Sequence, residues 1–309
     1  MMEKNTTWPI MVLAHNEEKH ILKCLESLEQ EQVDNRELRI FVMANGCTDN
    51  TEEVVKNYAR DKAHIKLISI ELADKNNAWN TFVHAIVSEF CPGSDIYFFM
   101  DGDATIGHGS LAALDAGLAT QNEANAASAI PLTGRSRLTD SEAILQNYGL
   151  VANLYALRGS FVHRLIENSV RLPLGLEGDD GLLGALIKWD LDPTSDWIDR
   201  RIVPCSDAGF AFVSMRLWSP SDWRAYWRRL IRYARRQYEF ELLGPRLKKH
   251  GLSALPVHIA EVYADIDRCK IKWGGIKFLM SCMALREMKR AFNCHSFMAT
   301  ECAKENYKV

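Results

Sequence analysis

Phe98-Phe99-Met100-Asp101-Gly102-Asp103 is an apolar run that passes directly into two acids separated by one glycine. A continuous apolar run, rather than an alternating one, is expected where both faces of a strand are covered, as in a parallel sheet. The full run starts at Ile96, and similar runs precede it at Ile10 to Ala14, Ile40 to Ala44 and Ile65 to Ile70, with amphipathic stretches between them. Strand and helix in alternation predict an α/β domain with a mostly parallel sheet flanked by helices. In the first intervening stretch Ile21, Leu25 and Leu28 share one helical face, with Asn16 as the expected cap. Asp49, with Glu52 three residues on, predicts a capping box at the start of the second helix. Past the DGD, a helix near Leu111 to Leu118, a strand at Ala126 to Ile130 and amphipathic sequence through Ile166 continue the pattern. From Trp218 to Leu243 and from Ile271 to Phe292 the pattern turns helical, aromatic and basic. The expected organisation is a sheet-bearing domain over 1–215, with halves at 1–135 and 136–215, and a helical C-terminal region over 216–309.

The chain has 309 residues, of which 47% are hydrophobic and 25% charged, so collagen-like, low-complexity and disordered classes are excluded. Lys plus Arg is 37 against 40 for Asp plus Glu, a net charge of -3 that gives no overall bias towards nucleic acid. Eight cysteines without a CxxC pair support neither a zinc ribbon nor a disulfide scaffold and fit reduced thiols in the cytoplasm. Met1 to Thr7 is polar and carries an acid, unlike a secretory signal, and no apolar stretch approaches about 18 residues. A cytoplasmic protein without a transmembrane span is expected.

In open α/β sheets, ligands bind at the carboxyl ends of the strands, where Asp101 and Asp103 are expected to stand. Their hard oxygens suit Mn2+ or Mg2+, and such a cation would bridge a nucleotide diphosphate whose charge grows as the bond to it breaks. For the DGD alone, a solvated polar turn is the competing reading. Two further strand ends supply context: Met11-Val12-Leu13-Ala14-His15-Asn16-Glu17-Glu18 and Val42-Met43-Ala44-Asn45-Gly46-Cys47-Thr48-Asp49-Asn50-Thr51. With Lys75-Asn76-Asn77-Ala78-Trp79-Asn80 and the DGD, in this order, they resemble the nucleotide-binding half of family 2 glycosyltransferases of the GT-A fold, over roughly residues 8 to 135. The resemblance implies that Ala14, Asn16, Glu17 and Asn45 hold the base and ribose of a nucleotide-sugar. It places Lys75 and Asp101 near the diphosphate, and Mn2+ or Mg2+ on Asp101 and Asp103. Asn45 stands where many members have aspartate and His15 where many have tyrosine, departures that bear on the identity of the base.

Leu176-Glu177-Gly178-Asp179-Asp180-Gly181-Leu182-Leu183 leads into a predicted helix, Leu183 to Trp189. Acids that favour the helix dipole are one reading, and they account best for Glu177. The other is catalytic, because an inverting glycosyl transfer needs a carboxylate to take the proton of the acceptor hydroxyl. The segment resembles the family's acceptor-side motif, an acid pair followed two residues later by leucine, which implies Asp180 as base and Asp179 beside the acceptor.

Between Trp223 and Arg236, arginines 224, 228, 232 and 235 fall on one helical face, beside an apolar face of Trp223, Trp227, Leu230 and Ala234. Arg229-Leu230-Ile231-Arg232-Tyr233 is similar to the (Q/R)xxRW motif of hyaluronan and cellulose synthase relatives, with tyrosine for tryptophan. That similarity implies Arg229 and Arg232 near the diphosphate and Tyr233 at the acceptor. A solvated charge stripe, or a face that meets anionic headgroups, are the alternatives. The last stretch sets Trp273, Ile276, Leu279, Met280 and Met283 among Lys270, Lys272, Lys277, Arg286, Lys289 and Arg290. It reads as an amphipathic helix packed on the domain, or as one in peripheral contact with a membrane at its inner face. His258 reads as a structural histidine rather than an extra metal ligand.

The expected activity is a metal-dependent, inverting transfer of a hexosyl or N-acetylhexosaminyl group from a nucleotide-sugar, first a UDP-sugar, to a hydroxyl of a glycan or glycolipid acceptor. The acceptor would belong to glycolipid, lipid-linked saccharide or polysaccharide synthesis. A sugar nucleotidyltransferase would carry a glycine-rich loop where Ala14-His15-Asn16-Glu17-Glu18 has none. A dehydrogenase would need Gly107-His108-Gly109-Ser110-Leu111-Ala112 directly after the strand. A non-catalytic protein that grips anionic lipid or nucleic acid through the arginine helix is the reading from another class.

Overall fold

The computed structural model describes residues 7–31, 33, 35–212, 220–271, 274–298 and 307–308. Met1 to Thr6, Trp218, Lys272 and Trp273, named above, lie outside them. Strands and helices alternate through the first half: β1 (Thr7–Ala14), α1 (Ile21–Glu29), β2 (Glu37–Asn45), α2 (Thr51–Ala59), β3 (Ile65–Ile70) and α3 (Lys75–Thr81). A π-helical turn (Phe82–Ile86) and α4 (Val87–Phe90) extend α3, and β4 (Ile96–Asp101), β5 (Ala104–Ile106), α5 (Ser110–Thr120) and β6 (Ala126–Pro131) follow. The chain continues through α6 (Arg137–Asn147), β7 (Leu154–Arg158), α7 (Gly159–Glu167), α8 (Asp179–Lys188) and β8 (Ile202–Phe212). Helices α9 (Pro220–His250) and α10 (Gly275–Met298) flank a 3-10 helix, Ile259–Arg268, and the two-residue β9 (Tyr307–Lys308) comes last.

All the strands join one sheet, ordered β5-β8-β6-β7-β4-β1-β2-β3-β9. Its centre, β4-β1-β2-β3, is parallel as the sequence predicts, while β7 runs antiparallel to both β4 and β6. Register fixes the site: Leu13 lies opposite Asp101 and Ala14 opposite Ala44, so three strands end level at one edge. Period-2 alternation sends Met11, Phe41, Tyr97 and Phe99 into one apolar cluster and Ile10, Val12, Ile40, Val42, Phe98 and Met100 into another. Both faces are therefore covered, which is why the strand runs are apolar throughout. Truncating a fully buried ring such as Phe98 to alanine would cost about 3 to 5 kcal/mol.

Several local expectations shift. Asn16 does not cap α1: the Glu17 carbonyl accepts the amides of His20 (3.0 Å) and Ile21 (2.9 Å) in a turn that delays the helix to Ile21. Asp49 and Glu52 form no capping box. Asp49 Oδ1 accepts from Thr51 N at 3.0 Å from just outside α2, and Glu52 Oε2 instead accepts from Ser69 Oγ at 2.8 Å. α8 begins at Asp179 rather than Leu183, so the acid pair lies inside its first turn. On α9, Trp223 is exposed, and among the described residues the buried apolar positions are Ile231, Tyr238, Leu242, Leu243 and Leu247, with Trp227, Leu230 and Ala234 partly buried beside them. Arg235 turns inward, away from the expected arginine face, because Glu239 and Tyr263 offer it partners there. On α10, Met280, Ala284 and Met288 pack inward at helical spacing, while Ile276, Leu279 and Met283 face outward. Among the described residues, no helix is long and apolar enough to cross a membrane.

Candidate active site at the carboxyl edge of the sheet

Where β4 ends, the backbone of Gly102 passes against β1, and its amide donates to the Leu13 carbonyl at 2.7 Å. A Cβ there would stand 2.8 Å from that carbonyl oxygen, so only glycine fits between the two acids. Asp101 faces inward and accepts from Asn153 Nδ2 at 3.3 Å, while Asp103 is exposed beside it. Burial, then the like charges of Asp103 and Asp179, push the Asp101 carboxyl up to about 6 against the pull of Lys75.

Lys75 opens α3. Its Nζ lies 3.4 Å from Asp101 Oδ1 and 3.2 Å from Asp179 Oδ2, so one ammonium joins the DGD to the acid pair of α8. Burial works against that ammonium, but Asp101 and Asp179 outweigh it and hold its pKa above the usual value. Asp180 Oδ1 accepts from Gly181 N at 2.8 Å and is closely paired with Arg236 Nη2 from α9. Arg236 crosses the start of α8 over Gly178, where a Cβ would come within 3.2 Å of its Cγ. Burial and then Asp179 raise the Asp180 pKa, with Arg236 and Lys75 opposing.

The segment before the acid pair is clamped from two sides. From α3, Asn76 Nδ2 donates to the carbonyls of Pro173 (3.0 Å) and Leu176 (2.9 Å). Asn80 exchanges two 2.8 Å bonds with the backbone of Leu172, and Asp74 Oδ2 accepts from Gly175 N at 2.6 Å. From α9, Arg235 Nη2 donates to the Gly175 carbonyl at 2.7 Å and the fully buried Glu239 accepts from Glu177 N at 3.0 Å. Glu239 is itself held by Arg235 Nε at 2.8 Å and by the Tyr263 hydroxyl. His258 serves the same region structurally: its Nδ1 accepts from Ala260 N at 3.0 Å in a capping box, and its ring lies over Gly175.

The other residues expected at the site occupy two places. Ala14 is buried at the end of β1, and Asn16 Oδ1 accepts from Thr48 N at 2.8 Å, tying the first two strand-end loops together. Glu17 N donates to Thr51 Oγ1 at 2.7 Å, and burial raises the Glu17 carboxyl, with His20 opposing. Asn45 is buried, its Oδ1 accepting from Asp74 N at 2.9 Å and its carbonyl from His15 Nδ1 at 2.6 Å. These residues line the edge beside the DGD. Arg229 and Tyr233 instead engage one another on the exposed side of α9, Nε to hydroxyl at 2.6 Å, and Arg232 is exposed next to them. The arginine that reaches the acid pair is Arg236, one turn beyond Arg232, and sequence reading missed it. It also passed over Asp74, Asn76, Asn80 and the Arg235–Glu239 pair, although the latter's i, i+4 spacing carried a signal.

Among the described residues, no three His, Cys, Asp or Glu side chains gather into a metal cage. Asp101 and Asp103 fit a cation bound by one or two carboxylates that completes its shell with phosphate and water oxygens, the habit of Mg2+. A divalent charge there would also relieve the burial and repulsion acting on Asp101. A cavity of about 810 Å³ opens instead at the amino end of β2, around Glu37, Arg39, His64, Lys66 and Phe90. None of the acids just described reaches it, and the carboxyl edge is where open α/β sheets hold their ligands.

Residues 10–156 match the model of glycosyl transferase family 2. Among solved structures, mannosyltransferase PcManGT from Pyrobaculum calidifontis, in complex with GDP-Man and Mn2+, superimposes with a TM-score of 0.58 at 16% identity, covering 94% of this chain and 84% of that one. S. aureus TarS 1-349 gives 0.50 at 16% identity over 98% of this chain and 96% of that one. The same protein with UDP-GlcNAc gives 0.50 at 14% identity over the same shares, 98% and 96%. At these identities the likeness is one of fold. A search of curated protein sequences gave no match.

Proposed function

We propose, for a chain whose residues 10–156 belong to glycosyl transferase family 2 and whose fold is GT-A, an inverting and divalent-metal-dependent transfer of a sugar from a nucleotide-sugar to a hydroxyl acceptor. The observation that carries this reading is the Lys75 ammonium held between Asp101 and Asp179, which brings a donor-side acid and an acceptor-side acid pair to one point. The strand-end loops at Ala14, Asn16, Glu17 and Asn45 would hold the nucleoside, and Lys75 would face the diphosphate. Asp101 and Asp103 would hold Mn2+ or Mg2+, which supplies positive charge against the departing diphosphate.

Asp180 is the base. Gly181 N and Arg236 hold its Oδ1, which leaves Oδ2 to accept the acceptor's hydroxyl proton. As that proton moves to Asp180, the acceptor oxygen forms its bond to the anomeric carbon. The bond from that carbon to the diphosphate oxygen breaks on the opposite face, and its electron pair leaves with the nucleotide. Inversion follows from the single displacement. UDP-sugars are the first donors to test and GDP-mannose the next, since a protein of like fold was solved with GDP-Man.

A screen of nucleotide release over these donors, with and without Mn2+, tests the reading. Metal-dependent release should vanish in Asp103→Ala. Asp180→Asn should lower turnover by about 100-fold or more while donor affinity stays near that of the wild type. Weakened donor affinity with normal turnover at saturation would instead remove Asp180 from the base role.

A further inference from the structure

Between Trp223 and Tyr238, α9 carries arginine at 224, 228, 229, 232, 235 and 236 and no aspartate or glutamate. Three of the six have partners: Arg229 in Tyr233, Arg235 in Glu239 and Gly175, and Arg236 in Asp180. Arg224, Arg228 and Arg232 are exposed and, among the described residues, make no hydrogen bond or ion pair. Some other surface cations find carboxylates, as in Arg200–Glu123, Lys289–Asp267 and Arg268–Asp265.

The unpaired three are not scattered. Residues 224, 228, 232 and 236 repeat at i, i+4, so they form one slowly winding ridge that advances about 6 Å per step. The ridge ends at Arg236, whose guanidinium is on the carboxylate of Asp180. Trp223, Tyr226 and Tyr233 are also exposed on α9, around the helix from the ridge. Guanidinium forks bind phosphate or carboxylate oxygens, and flat aromatic faces pack on the C–H faces of sugar rings.

We propose that the acceptor is a polyanionic glycan that lies along α9, its anionic groups on Arg224, Arg228 and Arg232 and its reactive hydroxyl at Asp180. The proposal rests on the glycosyltransferase reading and names the substrate class of that same site. A chain fits this surface better than an anionic membrane does. The cations form a line rather than a patch, and the line ends at the recessed carboxylates of Asp179 and Asp180, each only 19% exposed, which a flat bilayer would not enter. A flexible chain presents a hydroxyl there and keeps its charges on the ridge.

The test uses dextran sulfate as the polyanion, uncharged dextran as its control, and phosphatidylcholine vesicles with and without phosphatidylglycerol. Dextran sulfate should bind the full-length protein, dextran should not, and binding should slow nucleotide release from the donor by covering Asp180. The double variant Arg224→Gln/Arg228→Gln should bind dextran sulfate about ten-fold more weakly and with a flatter salt dependence. Its melting temperature and its uninhibited nucleotide release should match the wild type. Equal binding by the two proteins overturns the proposal. So does arginine-dependent binding of the anionic vesicles without binding of dextran sulfate, which would make the ridge a membrane surface. If binding behaves as expected but no nucleotide-sugar is turned over, the glycosyltransferase reading fails and the acceptor falls with it. If turnover is intact and binding fails, only the acceptor proposal falls.

Discussion

At Gly102 one hydrogen atom decides whether β4 can end where it does. A methyl group would sit 2.8 Å from the Leu13 carbonyl and 3.2 Å from Ile21 Cδ1, so Gly102→Ala must push β4 away from β1. Such overpacking costs about 1 to 3 kcal/mol, and the displaced Asp101 and Asp103 would lose their alignment. We expect a lowered melting temperature together with weakened Mn2+ dependence, read by thermal denaturation and a metal titration of nucleotide release. At Asp180, the proposed base, the proton decides. A base must be ionised, and burial and Asp179 place this carboxyl above its ordinary 3.8, so transfer should fall as pH drops through a value above 3.8. Arg236 opposes that rise. Arg236→Gln should therefore move the acid limb of the pH–rate profile upwards. The acids themselves were legible in the sequence, because charged residues directly after buried apolar runs stand out. Arg236 was not: six arginines crowd one helix, and which of them meets an acid depends on how α9 crosses α8, which no local spacing encodes.

Among the elements, the strands were the most readable and the helix starts the least. A strand covered on both faces must be apolar along its length, and all four central runs lie within strands of the sheet. A helix start depends on which side chain wins a given amide. Asn16, a good cap by type, is instead used to hold Thr48 and Asp49, a contact across 32 and 33 residues that sequence periodicity does not report. The end of α1 illustrates how elements are tied electrostatically. Burial raises the Glu29 carboxyl, but bonds from Lys62, Tyr58 and His64 outweigh it and hold its pKa below the ordinary 4.5. Glu29 thus fastens α1 to the α2–β3 connection. A carboxylate whose folded pKa is depressed contributes stability above its unfolded value, and that contribution is lost as pH falls through the folded one. Glu29→Gln should therefore lower stability at neutral pH and flatten its decline below about pH 4.5, which denaturant melts across a pH series would show. An unchanged acid slope would count against this tie.

In the whole molecule the C-terminal helices share a core with the sheet. One buried cluster runs from Met11 and Phe41 through Leu182 and Leu186 to Ile231, Tyr238, Leu243, Tyr263, Met280 and Met288. Removing large buried side chains costs about 2 to 5 kcal/mol each, against a total stability of about 5 to 15 kcal/mol. A chain cut after residue 215 loses the last six of these at once. It should be recovered insoluble or without a fixed near-UV circular dichroism signal, whereas a soluble truncation with a sharp melt would show the first 215 residues to be self-sufficient. The sequence marked the change in character near this boundary, but a composition shift does not reveal a shared interior.

Lys75 gives one positive charge to Asp101, from early in the chain, and to Asp179, from far beyond it. Neutralise either acid and the other inherits the lysine undivided, so kinetic defects at the two positions are not independent quantities. Mutagenesis done one position at a time would credit part of the acceptor's energetics to the leaving nucleotide, and the reverse. Only a four-cornered thermodynamic square over Asp101 and Asp179 can separate the crosstalk from each contribution.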